Sequence, residues 1–245
     1  MSAPRFYCPP PLSSGATFEL PPEAAHHASR VLRLRVGDMV QIFDGLGHAL
    51  DAKIYSIKGK HVVLHELQTC MDGAESPLRI VLAQAMSSSE KMDWVVQKAT
   101  ELGVTEIQPV QTQRSVARLS GPRAEKRTAH WRGITIAASE QCGRNRLPQV
   151  HAPQDLATWL EQSRQLPGSK FVLLPEGVAM LHKQPPPQEC ATLLIGPEGG
   201  FGESETQLAQ QMGFVPVRLG ARTLRTETAA LAGIAALQTL WGDFC

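Results

Sequence analysis

The chain has 245 residues, of which 42% are hydrophobic and 19% are charged, and its formal net charge is +1. This composition excludes a disordered chain and suits one large domain or two small domains with real cores. No stretch approaches the roughly 18 apolar residues of a membrane-spanning helix, and the first residues lack the apolar core of a signal peptide, so we expect a cytoplasmic protein with no membrane partner.

The cysteine and histidine residues give no sign of a metal site. Five cysteines are scattered along the chain, without CxxC spacing and without histidines at zinc-finger spacing, as expected for reduced thiols. His26 and His27 are adjacent, so on a helix their side chains would point about 100° apart. We therefore predict no metal.

Residues 1–72 are predicted to form a small β-barrel domain with one helix. The helix covers about residues 22–33, with Pro22 in its first turn, where a missing N–H costs little. Residues 38–67 alternate apolar and polar positions between glycine-containing turns, which is typical of several short antiparallel strands. The polar stretch MDGAESP, residues 71–77, is interpreted as a linker to a second domain over 73–245.

In the second region, apolar strands alternate with amphipathic helices. The helix after the first strand is predicted to open with a capping box of Ser87 and Glu90 and to end before Gly103. This alternation predicts an α/β fold with a mostly parallel sheet and helices on both faces. The predicted strands cover residues 78–86, 106–110, 170–174, 191–195 and 215–219, and the later helices cover residues 123–142, 155–164, 203–212 and 226–241.

Positive charge is concentrated between residues 113 and 146. Only Glu125 and Glu140 oppose the cations of this segment, so it is either a solvated face or a surface for a polyanion, to whose phosphates arginine is well suited. The cations are Arg114, Arg118, Arg123, Lys126, Arg127, Arg132, Arg144 and Arg146.

Three predicted strands are followed by stretches rich in turn residues: LLPEG at 173–177, IGPEGGFG at 195–202 and RLGARTLRTETAAL at 218–231. Open α/β sheets bind ligands at the carboxyl ends of their strands. Glycine allows a ligand to approach the main chain, so we expect a small-molecule site here.

The usual dinucleotide fingerprint G-x-G-x-x-G is only half present. Gly200 and Gly202 match its first half, but Glu205 stands at the third glycine. Together with Glu203 it would place negative charge where a pyrophosphate should lie. A cationic or zwitterionic ligand fits better than a dinucleotide.

Four motifs, in order behind the small barrel, carry a resemblance that covers nearly the whole chain. They are KMDWVVQKATELGV (91–104), AASEQCGRNR (137–146), LLIGPEGGFGESE (193–205) and LGARTLRTETAAL (219–231). The chain resembles the RsmE-type 16S ribosomal RNA uridine-N3 methyltransferases of the SPOUT superfamily. The resemblance implies a PUA-like RNA-binding barrel, a C-terminal α/β domain with a deep trefoil knot, S-adenosylmethionine bound in the knot, and a homodimer that acts on 16S rRNA of the small ribosomal subunit.

The resemblance also implies a set of cofactor-binding residues in the three strand-end motifs. Adenine and ribose would lie against main-chain groups that no Cβ obstructs. The implied residues are Leu174, Glu176, Gly196, Pro197, Gly199, Gly200, Leu219, Gly220, Leu224 and Ala229.

For the chemistry, the uracil N3 must lose its proton and lie in line with the methyl group. Arg225 is our candidate to stabilise negative charge on a uracil oxygen, and its alternative role is an ion pair with Glu227. The base could be Glu198, Glu227 or water, and the sequence does not choose among them.

RNA contacts are implied in both regions. Phe6 and His27 belong to the same implied PUA surface, although Phe6 could equally belong to the barrel core. Glu140 is a further candidate for RNA or the dimer interface. Lys91 and Lys98 are interpreted as flanking a structural apolar stripe. The implied RNA-binding residues are Arg5, Tyr7, Arg30, Arg33, Gln141, Arg144, Arg146 and Arg222.

Two other classes of function stay open at this point. A non-catalytic RNA-binding or ribosome assembly factor would use the basic segment alone. An NADP-dependent oxidoreductase would use Gly200, Gly202 and Arg222.

Overall fold

The computed structural model describes residues 3–12, 15–70, 73–177 and 179–244, which fall into two compact units. One unit contains the chain up to Glu75 together with Ile136–Leu147, and the other contains Ser76–Thr135 and Pro148 onward. Met71 and Asp72, at the predicted domain boundary, and Cys245 lie outside the described residues. The grouping of residues 136–147 with the N-terminal unit was not predicted.

The N-terminal unit is built on one mixed sheet. Its elements are β1 (Arg5–Tyr7), β2 (Thr17–Glu19), α1 (Pro22–His26), β3 (Met39–Phe43), β4 (Ala49–Lys58) and β5 (His61–Cys70). The strand order is β1-β3-β4-β5-β2, and β1 pairs in parallel with β3 while the other pairs are antiparallel. Apolar side chains that alternate along the strands, such as Val40, Ile42, Ile54 and Leu64, form its core with α1.

Two predictions for this unit need correction. The predicted helix over residues 22–33 is split into α1 and a π-helical segment, His27–Val31, and it ends two residues early. The strands are not all short and antiparallel, because β4 and β5 have ten residues each and β1 is parallel. Alternation within a segment indicates a strand but not the direction of its partner.

The second unit has an all-parallel sheet in the order β11-β13-β10-β12-β6-β7-β8, with β9 beside β7. Its strands are β6 (Arg79–Ala85), β7 (Glu106–Gln111), β8 (Gln149–Val150), β9 (Gln154–Asp155), β10 (Ser169–Leu173), β11 (Ala179–Met180), β12 (Cys190–Ile195) and β13 (Val215–Arg218). The five longer strands confirm the predicted ones within one or two residues. β8, β9 and β11 were not predicted, because two residues carry no periodic signal.

Helices cover both faces of this sheet, as the alternation predicts. The helices are α2 (Ser89–Glu101), α3 (Gly121–Cys142), α4 (Leu156–Ser163), α5 (Glu203–Gln211) and α6 (Thr226–Trp241), and α3 from Ile136 onward is grouped with the N-terminal unit. Leu82 and Leu193 pack in one core cluster with α2 and α6, whereas their neighbours Ala83 and Leu194 pack in another with α4 and α5. Successive residues on a strand point to opposite faces, so both faces are buried.

The predicted capping box of α2 is wrong. The helix begins at Ser89, its N-cap is Ser88, and no side chain caps it. The buried hydroxyl of Ser87 instead donates a hydrogen bond to Oε1 of Glu198, in the loop after β12. A partner from a distant segment therefore takes the hydroxyl that the local pattern assigned to the helix. The C-terminal prediction is confirmed, since Gly103 follows the helix with a φ of +84°.

Candidate functional site

A cavity of about 810 Å³ lies at the carboxyl ends of β13, β10 and β12, which are neighbours in the sheet. The three stretches that the sequence singled out form its wall together with the first turn of α6. All ten residues predicted to bind the cofactor line it: Leu174, Glu176, Gly196, Pro197, Gly199, Gly200, Leu219, Gly220, Leu224 and Ala229. Of the catalytic and RNA candidates, Glu198, Arg222 and Arg225 also line it.

Two of these stretches are fastened to each other by a buried hydrogen-bond chain. The hydroxyl of Thr226, the first residue of α6, donates to the carbonyl oxygen of Gly196 over 2.6 Å. Nε2 of Gln84 in β6 donates in turn to the Thr226 hydroxyl over 2.9 Å. Both side chains are buried, so the end of β12 is held against α6 by bonds that water does not weaken.

The glycines of this loop meet separate steric demands. A Cβ on Gly196 would lie 3.0 Å from the ring of Phe201, so glycine here lets the aromatic ring fold back against the strand end. Gly200 has a φ of +68° and open space around the position of a Cβ, so its backbone conformation requires glycine and leaves the main chain exposed. The second case matches the predicted approach of a ligand to bare backbone.

Glu205 stands where a dinucleotide fingerprint has its third glycine, and its carboxylate accepts hydrogen bonds from two backbone N–H groups. Its Oε2 accepts from the N–H of Gly202 over 2.7 Å, and its Oε1 accepts from the N–H of Gln113 over 2.8 Å. The side chain is 9% exposed. A buried carboxylate at the start of α5 occupies the donors that a pyrophosphate would use, which argues against a dinucleotide site.

Lys91 joins two carboxylates at the cavity. Its Nζ lies 3.1 Å from Oε1 of Glu198 and 3.3 Å from Oε2 of Glu227. The ion pair that the sequence offered for Glu227 with Arg225 is therefore replaced by one with Lys91. Lys91 can balance the charge of only one of these two carboxylates, so this wall has a local negative charge that favours a cationic group, whereas arginines line other parts of the cavity.

The protonation of this cluster is biased toward the charged forms. Burial by itself would raise the pKa of Glu198, but the hydroxyl of Ser87 and the ammonium of Lys91 outweigh it and hold the pKa below its usual value. Glu198, followed by Glu227, raises the pKa of Lys91. Glu198 and Lys91 are therefore both ionised near neutral pH.

Arg114, Arg222 and Arg225, three of the four arginines that line the cavity, differ in their hydrogen-bond and ion-pair partners. Arg114 donates from Nη1 to the carbonyl oxygen of Gly199 over 2.8 Å and so supports the loop after β12. Arg222 and Arg225 are exposed, and neither forms an ion pair within the described part of the chain. Their guanidinium groups are thus available to a substrate. Arg225 stands at the N-cap of α6, directly before Thr226.

Among the RNA-binding candidates of the N-terminal unit, Arg144 needs correction. It is 2% exposed, and its guanidinium donates to Oε2 of Glu75 from Nε at 3.1 Å and from Nη2 at 3.0 Å. Arg5 is half-buried and donates from Nη2 to the carbonyl oxygen of Arg144 and to Oδ1 of Asn145, both over 2.8 Å. These two guanidinium groups bind the unit's own backbone and side chains rather than facing a phosphate.

Tyr7 is also tied into this network, since its N–H donates to Oε1 of Glu140 over 2.9 Å and its ring lies 5.8 Å from that of Phe43. The side chains of Arg30, Arg33, Gln141 and Arg146 are exposed and accessible to a partner. Phe6 is fully buried, so it belongs to the core rather than to a surface for bases.

The roles of Lys91 and Arg114 at the cavity, and of Ser87 beside it, were not predicted from the sequence. Lys91 opens the motif KMDWVVQKATELGV and was interpreted as structural because its neighbours form an apolar stripe. Arg114 follows the carboxyl end of β7, so the strand-end rule could have identified it. Ser87 had no such signal, because its partner is 111 residues away along the chain.

The residues described contain neither a candidate metal-binding cluster nor a candidate membrane-spanning helix. No cluster of three or more histidine, cysteine, aspartate or glutamate side chains there is placed to hold a metal ion. No helix within the described ranges is both long and apolar enough to cross a bilayer.

Comparison with known proteins identifies both units. Residues 74–238 match the family described as RNA methyltransferase domain, and residues 20–67 match the RNA methyltransferase PUA domain. The chain is 34% identical over 241 residues to ribosomal RNA small subunit methyltransferase E of Buchnera aphidicola, covering 98% of this chain and 95% of that one. It is 29% identical to the Bacillus subtilis protein of the same name, covering 92% and 91%.

Two solved structures are similar to this chain over the full length of both proteins. One is ribosomal RNA small subunit methyltransferase E from Neisseria gonorrhoeae bound to S-adenosyl methionine, with a TM-score of 0.93 and 41% identity. The other is a Legionella pneumophila protein in complex with S-adenosylmethionine, with a TM-score of 0.93 and 36% identity. The predicted PUA-like unit and parallel α/β unit are confirmed. The chain belongs to the ribosomal RNA small subunit methyltransferase E family of RNA methyltransferases.

Proposed function

We propose that this chain transfers a methyl group from S-adenosylmethionine to N3 of a uridine in 16S ribosomal RNA. The observation that carries the proposal is the cavity of about 810 Å³ at three adjacent strand ends, in a chain 41% identical to a cofactor-bound relative. Its volume lies within the roughly 300–1,000 Å³ of typical small-molecule sites.

The residues present fit this cofactor. Leu174, Leu219 and Leu224 offer apolar surface for a purine ring, and the backbone around Gly200 offers unobstructed polar groups. When bound, the cofactor supplies a methyl group on a positively charged sulfonium. The net negative charge of Lys91 with Glu198 and Glu227 suits that cation.

The catalytic roles follow from what uracil requires. Its N3 proton must leave, and negative charge then spreads onto the flanking carbonyl oxygens. Arg225 is exposed at the cavity, and we assign it to stabilise that charge. Glu198 and Glu227 are the carboxylates at hand to accept the proton, and its lowered pKa makes Glu198 a weaker base than an ordinary glutamate. Arg222 is assigned to the RNA backbone.

We also propose the finer features that the family resemblance implies. These are a trefoil knot in the α/β domain, a homodimer, action in the cytoplasm on the small ribosomal subunit, and a domain boundary near residues 72 and 73. The two matched family regions, 20–67 and 74–238, flank that boundary.

Two measurements test the function. Calorimetric titration of the folded protein with S-adenosylmethionine should show saturable binding, and a folded protein that binds none would contradict the proposal. Mass-spectrometric mapping of methylated nucleosides in ribosomal RNA should show one N3-methyluridine that is lost in cells without the protein and restored by the gene.

The same preparation separates the competing functions. Thermal stabilisation by NADPH without stabilisation by S-adenosylmethionine would favour an oxidoreductase. RNA binding without methylation of small-subunit particles would favour a non-catalytic assembly factor.

A further inference from the structure

A second cavity, of about 440 Å³, lies in the α/β unit between the start of α2 and the first half of α3, and we call it the basic groove. Its floor includes Met86, Met92 and Leu119. Four cationic or titratable side chains of α3 line it, at Arg123, Lys126, Arg127 and His130. Because these positions are spaced three, one and three residues apart, they lie on one face of the helix.

The charge of the groove is only partly neutralised. Asp93 contacts two of these side chains, with Oδ2 at 2.9 Å from Nε2 of His130 and Oδ1 at 3.8 Å from Nη1 of Arg127. Arg123 and Lys126 are exposed, and neither has an ion-pair partner among the described residues. Two cations at one rim of a cavity are complementary to a phosphate.

The rest of the groove is suited to a flat, weakly polar group. The guanidinium of Arg127 lies 5.6 Å from the ring centroid of the buried Trp131, which holds it over that ring. A nucleobase can stack on a guanidinium or lie against apolar side chains such as Leu119. Phosphate-binding charge beside a base-sized apolar floor is the chemistry of a nucleotide site in single-stranded RNA.

The groove and the cofactor cavity share a wall. Ser87 lines the groove, its hydroxyl donates to Glu198, and Glu198 lines the cofactor cavity. A nucleotide in the groove would therefore be separated from the cofactor cavity by a single hydrogen-bonded pair of side chains. That is a natural position for a neighbour of the nucleotide that reacts.

We infer that the basic groove binds a nucleotide of the RNA substrate that flanks the methylated uridine, with its phosphate at Arg123 and Lys126 and its base on the apolar floor. The inference rests on the proposed function and adds a substrate subsite to it. It assigns to part of the basic segment a defined pocket rather than a general positive field.

The first test removes the two unpaired charges in the full-length protein. Arg123→Ala with Lys126→Ala should weaken binding to 16S ribosomal RNA transcribed in vitro at least about tenfold in low salt. The slope of log affinity against log salt concentration should fall by about 1.4, the value for two contacts to single-stranded RNA. Affinity for S-adenosylmethionine and the melting temperature should stay at the wild-type values.

The matched control is Arg164→Ala with Lys183→Ala, an exposed arginine and lysine of the same unit that line neither cavity. This pair removes the same charge and should leave RNA affinity within about twofold of wild type. An equal loss in both double variants, or no loss in the groove variant, would overturn the subsite.

A second variant fills the groove and keeps its charges. Ala117 lines the groove and is half-buried, so Ala117→Trp should raise the KM for RNA severalfold while cofactor affinity is unchanged. An unchanged KM in a folded, cofactor-binding variant would show that no base enters. If wild-type protein neither bound S-adenosylmethionine nor methylated RNA, the proposed function and this inference would both fail. If wild-type protein and every variant methylated RNA normally, only the proposed subsite would be contradicted.

Discussion

The hydroxyl group of Thr226 donates a 2.6 Å hydrogen bond to the carbonyl oxygen of Gly196. This bond joins the first residue of α6 to the loop after β12, two of the stretches that form the cofactor cavity. Gln84, fully buried in β6, donates to the same hydroxyl. The loop's position therefore depends on one oxygen atom that both accepts and donates inside the protein.

Replacing that oxygen by a methyl group tests the dependence. Thr226→Val keeps the shape of the side chain but leaves the Gly196 carbonyl and one Gln84 donor without this partner. We expect the free energy of unfolding to fall by about 1–3 kcal/mol, the cost of buried polar groups that lose their bonds. Urea denaturation measures this loss, and calorimetry should show weaker binding of S-adenosylmethionine.

Thr228→Val is the control, because Thr228 is an exposed threonine of the same helix. It should change neither stability nor cofactor affinity by a measurable amount. Equal behaviour of the two variants would mean that the Thr226 bond does not hold the loop.

Variants of Arg225 and Arg222 should distinguish a role in the methyl-transfer step from a role in RNA binding. Both are exposed arginines that line the cavity, and they lie one and four residues before Thr226, the first residue of α6. If Arg225 stabilises charge on the uracil oxygen, Arg225→Ala should lower kcat by about 10²–10³-fold with little change in cofactor affinity. If Arg222 contacts the RNA backbone, Arg222→Ala should mainly raise the KM for RNA. Single-turnover and steady-state kinetics on small-subunit particles distinguish the two, and equal losses of kcat and cofactor affinity in Arg225→Ala would reassign it to the shape of the pocket.

The sequence was sufficient where structure is decided locally. α6 was predicted over residues 226–241 and is found at Thr226–Trp241, because its apolar positions and flanking residues mark it without help from other segments. The three strand ends were likewise predictable, since glycine interrupts the apolar run at each of them, together with proline at two. Their meeting at one cavity follows from the parallel sheet, in which β13, β10 and β12 are neighbours.

The sequence was insufficient where a side chain chooses between a local and a distant partner. The hydroxyl of Ser87 bonds to Glu198 rather than capping α2, and the guanidinium of Arg144 pairs with Glu75 rather than facing RNA. Lys91 was interpreted only as flanking a structural apolar stripe, because the two carboxylates that it bridges lie more than a hundred residues away. The sequence around each of these residues does not predict partners that lie far away along the chain.

The lowered pKa of Glu106 leads to a prediction for how the stability of the α/β unit depends on pH. A hydrogen bond with His151, followed by the ion pair with Arg79, outweighs burial and lowers its pKa to about 2. A carboxyl with a depressed pKa stabilises the fold above its ordinary pKa, and this contribution is lost as pH falls from about 4.5 to about 2. Glu106→Gln should therefore cost about 1–3 kcal/mol of unfolding free energy at pH 7.

The pH profile is the sharper part of this prediction. The difference between wild type and Glu106→Gln, measured by urea denaturation, should shrink steadily below about pH 4.5. Glu161→Gln removes an exposed carboxylate of the same unit and should show no such difference. A loss in Glu106→Gln that stayed constant down to pH 2 would show that packing, and not charge, is responsible.

The contact between Lys91 and Glu198 leads to a prediction for how affinity for S-adenosylmethionine depends on pH. Its ammonium, 3.1 Å from Glu198, contributes to holding the pKa of that carboxyl below its usual value. Lys91→Met keeps much of the side-chain length but removes the cation, so the pKa of Glu198 should rise and the carboxylate should be protonated at a higher pH. Since an ionised carboxylate favours a sulfonium, affinity for S-adenosylmethionine should begin to fall at a higher pH than in wild type, and carbon-13 NMR of the glutamate carboxyls should show the same displacement.

Lys98→Met is the matched control, because Lys98 lies on the same helix and pairs with Glu101, three residues along. It removes an equal charge without touching Glu198 or Glu227, so the acid limb of cofactor binding should coincide with that of wild type. If both methionine variants moved the acid limb equally, the shift would come from the net charge of the protein. If neither moved it, the ionisation of Glu198 would have no part in holding the cofactor, and the negative charge assigned to this wall of the cavity would have to act through Glu227 alone.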